Sequence, residues 1–127
     1  MSETINWTLN VQVVGGPQIA ASRPVTVDAY DKIGVNVPAE GSATVEVQPS
    51  EEEGRVQFLL INSDRFDDDI TYKVNDLTDV IKLDAPQVLV GDGAVGLLGE
   101  PPNKLVVTND LTQDANIEII VGRKATA

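Results

Sequence analysis

The densest group of side chains able to do chemistry is a run of oxygen donors near the middle of the chain. An amide or carboxylate stands at five of the eight positions from 62 to 69: Asn62, Asp64, Asp67, Asp68 and Asp69. Calcium takes about six to eight oxygen ligands, and adjacent strand-end loops can converge to supply them. The spacing is not that of an EF-hand, because the run lacks the glycine of the sharp turn and the closing glutamate. These five residues are a candidate calcium site, and the simpler interpretation is a solvated acidic loop.

A second motif is glycine-rich. Residues 91–96, GDGAVG, match the dinucleotide fingerprint G-x-G-x-x-G and follow an expected strand. Phosphate binding by this motif needs a helix that begins at the loop and points its N-terminus at the pyrophosphate. Only Leu97 and Leu98 follow before residues 99–102, GEPP, interrupt the chain. The segment is therefore interpreted as a loop with an apolar tip and not as a nucleotide site.

The chain contains no cysteine and no histidine. This composition excludes a disulfide framework, a cysteine nucleophile, an imidazole base and a zinc site of the usual ligands. A hydrolase would need two carboxylates facing one cleft. The strand acids Asp28, Glu46 and Glu118 alternate with apolar residues, so they are expected to face solvent. A carbohydrate site would need exposed rings, for which Tyr30 and Phe66 are the candidates. The sequence predicts a protein that is not an enzyme.

Charge and termini narrow the partners further. The net charge is -11 and is spread along the chain, which argues against nucleic acid or an anionic membrane as partner. The first residues, Met1 to Thr4, lack a basic segment followed by an apolar one, and no apolar run approaches membrane-spanning length. A cytoplasmic location is therefore expected, and the acidity is interpreted as a source of solubility.

The elements that must position these residues are strands. Valine and isoleucine together occur 27 times, against 11 for leucine and methionine, and branched side chains favour pleated sheet. The clearest alternation runs from Ile5 to Val13 and predicts a strand with one face in the core. Turn signals recur at the spacing of an all-β protein. Residues 1–127 are predicted to form one antiparallel β-sandwich of about eight strands, either immunoglobulin-like or jelly-roll, with little or no helix.

Several strands are apolar on both faces, and this pattern points to a partner. The segment from Val56 to Ile61 is expected to turn Phe58 and Leu60 inward, which leaves other apolar side chains on the outer face. Four outward residues then need cover: Leu59, Ile61, Val106 and Ile120. Cover can come from the segment between residues 75 and 102 or from another copy of the chain. The second option predicts a homo-oligomer with these four residues at its interface.

Two stretches of the chain echo one another without a gap. Each has an apolar strand, an asparagine (Asn62 or Asn109), a polar connection and a second strand. Both are expected to be hairpins, whether they arose by duplication or coincidence. The sequence as a whole predicts a non-catalytic structural or interaction module that self-associates. The alternatives are a calcium- or carbohydrate-binding module, and a hydrolase that uses carboxylates.

Overall fold

The computed structural model describes residues 3–47, 56–100 and 102–124, and the acidic segment around Glu52 lies outside these ranges. It confirms an all-β protein. The strands are β1 (Glu3–Gln12), β2 (Gln18–Val27), β3 (Ala29–Val37), β4 (Gly41–Glu46), β5 (Val56–Ser63), β6 (Ile70–Val74), β7 (Ile81–Lys82), β8 (Gln87–Val90), β9 (Lys104–Asn109) and β10 (Ala115–Arg123). One helical turn, α1 (Asp92–Val95), and a 3₁₀ turn (Gly96–Leu98) interrupt them.

Eight of these strands form two four-stranded antiparallel sheets. The front sheet has the order β3-β10-β5-β8, and the back sheet has the order β4-β9-β6-β7. Among these eight strands, only β6 and β7 are both consecutive and paired. Most connections therefore pass from one sheet to the other, which favours the jelly-roll alternative with its two Greek keys over the immunoglobulin-like one.

The core lies between the two sheets. The front sheet contributes alternate residues of β5 and β10, including Leu59, Ile61 and Ile119, and the back sheet contributes Tyr72 and Leu105. Leu59 and Ile61 are 0% and 2% exposed. The prediction that these two side chains face outward is therefore wrong. Both faces of β5 are apolar, so the alternation alone did not reveal which face meets the core.

The two echoing stretches are not hairpins, contrary to the prediction. The chain leaves the front sheet after β5 and enters the back sheet at β6, and it makes the reverse crossing from β9 to β10. Consequently β5 pairs with β10 and β6 pairs with β9. When the strand order of one sheet is laid in reverse on that of the other, β5 takes the place of β9 and β6 takes the place of β10. The two similar stretches of sequence therefore form two connections between the sheets at equivalent positions in the fold. We call these connections, from β5 to β6 and from β9 to β10, the crossing arches.

Strands β1 and β2 form a separate two-stranded hairpin. Ten residue pairs join them, from Glu3 with Val27 to Gln12 with Gln18. The hairpin meets the front sheet at its base, where the Asp28 amide donates to the Arg123 carbonyl at 2.8 Å. Most of both strands is exposed along its length. The prediction that one face of β1 lies in the core is therefore wrong beyond the first pairs.

Candidate functional site

The β1–β2 hairpin carries an apolar face that its own chain leaves open. Leu9, Val11 and Ile19 are 49%, 50% and 67% exposed, and Val13 and Val14 at the turn are exposed as well. The opposite face of β1 is polar, with Thr8, Asn10 and Gln12 in alternation. Contiguous exposed apolar surface is uncommon on monomeric proteins and marks interaction sites. We call this surface the hairpin face.

The strand register makes the hairpin face continuous. Val11 lies opposite Ile19 and Leu9 lies opposite Ala21. Directly opposed residues share one face of an antiparallel pair, so these side chains form one stripe. On the other face, the Gln18 amide donates to the Asn10 side-chain oxygen at 2.8 Å. The hairpin therefore has one face held by polar contacts and one face of aliphatic side chains.

Charge separates the hairpin from the rest of the chain. Residues 1–27 contain one acid, Glu3, and one base, Arg23, and are neutral overall. Residues 28–127 hold the other 19 acids and 8 bases, which gives them the entire net charge of -11. The hairpin can therefore approach another acidic molecule without the repulsion that the sandwich would meet.

A second apolar surface lies on the outer face of the front sheet. Ile120 of β10 is paired with Leu60 of β5, and Leu60 is paired with Val88 of β8. These three side chains form one row across three strands, and we call it the outer row. Val88 is 49% exposed, and the other two are half-buried. Solvent-facing sheet surfaces are usually polar, so the outer row is also a candidate contact surface.

The predicted interface residues are divided among different environments. Ile120 lies in the outer row, as expected from its position opposite the core-facing residues of β10. Leu59 and Ile61 are core residues of the sandwich. Val106 is half-buried in β9 between Thr44 of β4 and Lys73 of β6, so its apolar side chain stands without an apolar neighbour in its cross-strand row.

Two of the predicted calcium ligands, Asp64 and Asp67, accept hydrogen bonds from other residues of the chain. Asp64 accepts hydrogen bonds from the backbone and side-chain nitrogens of Asn116, at 2.9 and 3.0 Å. These two hydrogen bonds lower the pKa of the Asp64 carboxyl below its ordinary value of 3.8, and the bond from the Asn116 backbone has the larger effect. The Asp67 carboxylate accepts the Asp69 amide at 3.0 Å, as in an Asx turn.

The other predicted calcium ligands, Asp68 and Asn62, lie in different surroundings. Asp68 lies 3.8 Å from the ammonium of Lys82, with both side chains largely exposed. Asn62 is half-buried in β5, where it is paired with Glu118. Among the described residues, no three acidic side chains gather closely enough to hold a metal ion. The structure does not bring the five candidates together as one ligand set.

The candidate sugar-binding rings and catalytic acids are separated as well. Tyr30 is paired with Gly122 at one end of β10, whereas Phe66 follows β5 beyond the opposite end. Glu46 is paired with Lys104 in the back sheet, and Glu118 lies in the front sheet. Neither the rings nor these acids face each other across a cleft. Asp28 lies in the connection between β2 and β3.

Comparison of the chain with protein-family models, with curated proteins and with solved structures gave no match. Within the described residues, no helix is long and apolar enough to cross a membrane.

The hairpin face is the feature that sequence reasoning missed. Its signal was present in the chain as a regular alternation ended by Gly15, Gly16 and Pro17, within a neutral segment of an acidic protein. Alternation alone predicts a half-buried strand of the sandwich. The absence of net charge from the first 27 residues, which hold one acid and one base, is the sequence feature that separates this strand from the acidic sandwich.

Proposed function

We propose that this protein is a non-catalytic structural module that assembles with further copies of itself. The observation that carries the proposal is the hairpin face, whose aliphatic side chains stand exposed beyond the sandwich. An isolated two-stranded hairpin is marginally stable in water, and a packed apolar face is what usually stabilises it. A hairpin of ten residue pairs, exposed from Leu9 to the turn, therefore gains most from cover by another molecule.

The proposal revises the interface expected from the sequence. Leu59→Glu is unsuitable as a test because a charge at a fully buried position would unfold the sandwich. Ile120 remains part of the proposed contact surface through the outer row. Val106 does not join a continuous apolar surface and is left out of the test.

The test compares two double variants of β1 that add the same charge. Leu9→Glu with Val11→Glu places two carboxylates on the hairpin face, and Thr8→Glu with Asn10→Glu places two on the polar face. Solution mass is measured by size-exclusion chromatography with light scattering over a range of protein concentrations. We expect the wild type and the polar-face control to have a multiple of 13.6 kDa, and the hairpin-face variant to have the mass of one chain.

Folding of each variant is followed by circular dichroism and by thermal unfolding of the sandwich. The substituted residues are exposed, so the sandwich transition should survive in both variants. A wild type that stays at 13.6 kDa at the highest concentration would refute self-association. Equal dissociation of both variants would place the effect in added charge and not in the hairpin face.

A further inference from the structure

The same chain carries two apolar surfaces that it does not bring together. The hairpin face is exposed at Leu9, Val11 and Ile19, and the outer row is open at Val88. The hairpin base lies beside the outer row, since a β-carbon added at Gly122 would come within 2.8 Å of Ile5 Cδ1 and 3.0 Å of Val27 Cγ1. The exposed distal half of the hairpin nevertheless does not cover Val88 of its own chain.

We infer that the hairpin of one copy lies across the outer row of a second copy, which returns its own hairpin by two-fold symmetry. This inference rests on the proposed function and names the acceptor surface for the hairpin. In a two-fold contact, each chain inserts its own hairpin and receives the hairpin of the other chain on its outer row. Both unpartnered surfaces are therefore covered at once. A dimer in which hairpins contact only each other would leave both outer rows exposed.

Local chemistry at the outer row favours this acceptor. Ile120, Leu60 and Val88 are aliphatic, and β8 carries no charged residue. The neighbouring carboxylate of Glu118 is 3.5 Å from the ammonium of Lys32 on the adjacent strand. The outer row is thus a neutral surface on an acidic sandwich, and the neutral hairpin can reach it at little electrostatic cost. A partner of high negative charge would be repelled by the surrounding sandwich.

The area involved predicts the strength of the contact. Six residue pairs from Trp7 with Arg23 to the turn, plus the turn itself, extend about 25 Å at roughly 3.4 Å per residue and are about 10 Å wide. Two hairpins and the two surfaces that they cover then bury at most about 1,000 Å² in total, since the outer row is shorter than the hairpin. This is near the lower limit for a specific protein interface, so the dimer is expected to dissociate on dilution.

The absence of cysteine makes the inference directly testable by cross-linking. In one variant, Val11→Cys and Val88→Cys place a thiol on the hairpin face and another in the outer row. A second variant, Leu9→Cys with Val88→Cys, tests the neighbouring position of the same stripe. The matched control is Gln12→Cys with Val88→Cys, whose hairpin thiol lies on the polar face. All four positions are exposed, so the fold should tolerate the changes.

Mild oxidation is followed by non-reducing electrophoresis and by mass spectrometry of the disulfide-linked peptides. We expect at least one hairpin-face variant to shift from 13.6 kDa to twice that mass, through a disulfide between position 88 and position 9 or 11. The polar-face control should not give the corresponding product. A disulfide needs β-carbons within about 4.5 Å, so the product reports close contact.

A second measurement keeps the inference separate from the proposed function. Val88→Glu should lower the solution mass to that of one chain, whereas Ser42→Glu, on an exposed position of the back sheet, should not. Dissociation by the hairpin-face variant without any effect of Val88→Glu, and without a linkage to position 88, would overturn the outer row alone. A disulfide formed within one chain would also overturn it. A monomeric wild type would overturn both proposals.

Discussion

Replacing Asn109 by alanine should destabilise the sandwich more than any other polar substitution in the crossing arches. Its side chain is fully buried at the end of β9. The amide nitrogen donates to the carbonyls of Val37 and Gln113, at 3.2 and 2.8 Å. The amide oxygen accepts the Leu111 backbone nitrogen at 2.9 Å. Asn109 therefore fastens its own connection to the end of β3 in the other sheet.

The magnitude follows from these three hydrogen bonds. A typical hydrogen bond contributes about 1 kcal/mol net, and a buried group left without its partner adds to the loss. Asn109→Ala should therefore lower the free energy of unfolding by about 3 kcal/mol. For a domain of this size, each kcal/mol shifts the melting temperature by about 4 °C, which gives a fall of about 12 °C.

The matched control is Asn62→Ala at the equivalent position of the other arch. Asn62 is only half-buried, so its loss should change the free energy of unfolding by less than about 1 kcal/mol. Both variants are unfolded in urea at one fixed protein concentration, because self-association would make stability concentration-dependent. If the two substitutions lower the free energy of unfolding equally, the hydrogen bonds of Asn109 are not what stabilises the connection between β9 and β10.

Three further predictions concern the hairpin base and two titrating groups. The β-carbon of Gly122→Val would lie 2.8 Å from Ile5 Cδ1 and 3.0 Å from Val27 Cγ1, so overpacking should lower the free energy of unfolding by about 1–3 kcal/mol. Amide hydrogen exchange should then become faster in residues 3–27. Unchanged exchange in these residues would contradict the packing of the hairpin base on Gly122. Burial raises the pKa of Tyr72 from 10.0 to about 12. The unfolded chain therefore ionises first and stability should fall as pH rises from about 10 to about 12, a loss that Tyr72→Phe should reduce if the assignment is correct. The hydrogen bonds from Asn116 lower the pKa of Asp64 below 3.8. The stability that the ionised carboxylate contributes is therefore present above about pH 3.8 and is lost as the pH falls below that value. An Asp64→Asn variant that unfolds in acid at the same pH as the wild type would refute this assignment.

Where one face of a strand is clearly polar, the sequence was enough to place its side chains. In β10, Ile117 and Ile119 alternate with Asn116 and Glu118, and the buried face is the apolar one. In β5 no such contrast exists, because Phe58 and Leu60 oppose Leu59 and Ile61. The sandwich buries the second pair, while Phe58 is buried on the outer side of the sheet, where the hairpin base lies. Periodicity identified the strand and left its orientation open.

The connections show a different limit of sequence reasoning. An asparagine after an apolar run ends a strand through local hydrogen bonds, and the chain does end β9 at Asn109. That local signal does not specify whether the next strand pairs with the last one or crosses to the other sheet. The crossing depends on contacts distant in sequence, such as the bond from Asn109 to Val37. The same limit applies to the acidic run, since Asp64 is paired with Asn116, which lies 52 positions away.

The hairpin combines what the sequence predicts with a feature that the proposed assembly would account for. Alternation from Ile5 to Val13 specifies a strand with an apolar face, but it does not name the surface that covers that face. Within one chain, Ile5 and Trp7 are half-buried, whereas the apolar side chains from Leu9 to the turn are exposed to water. The sandwich carries all of the net charge, which opposes association of sandwich with sandwich. In the proposed dimer, the neutral hairpin would reach the neutral outer row of another copy and would join two acidic sandwiches where their electrostatic repulsion is least.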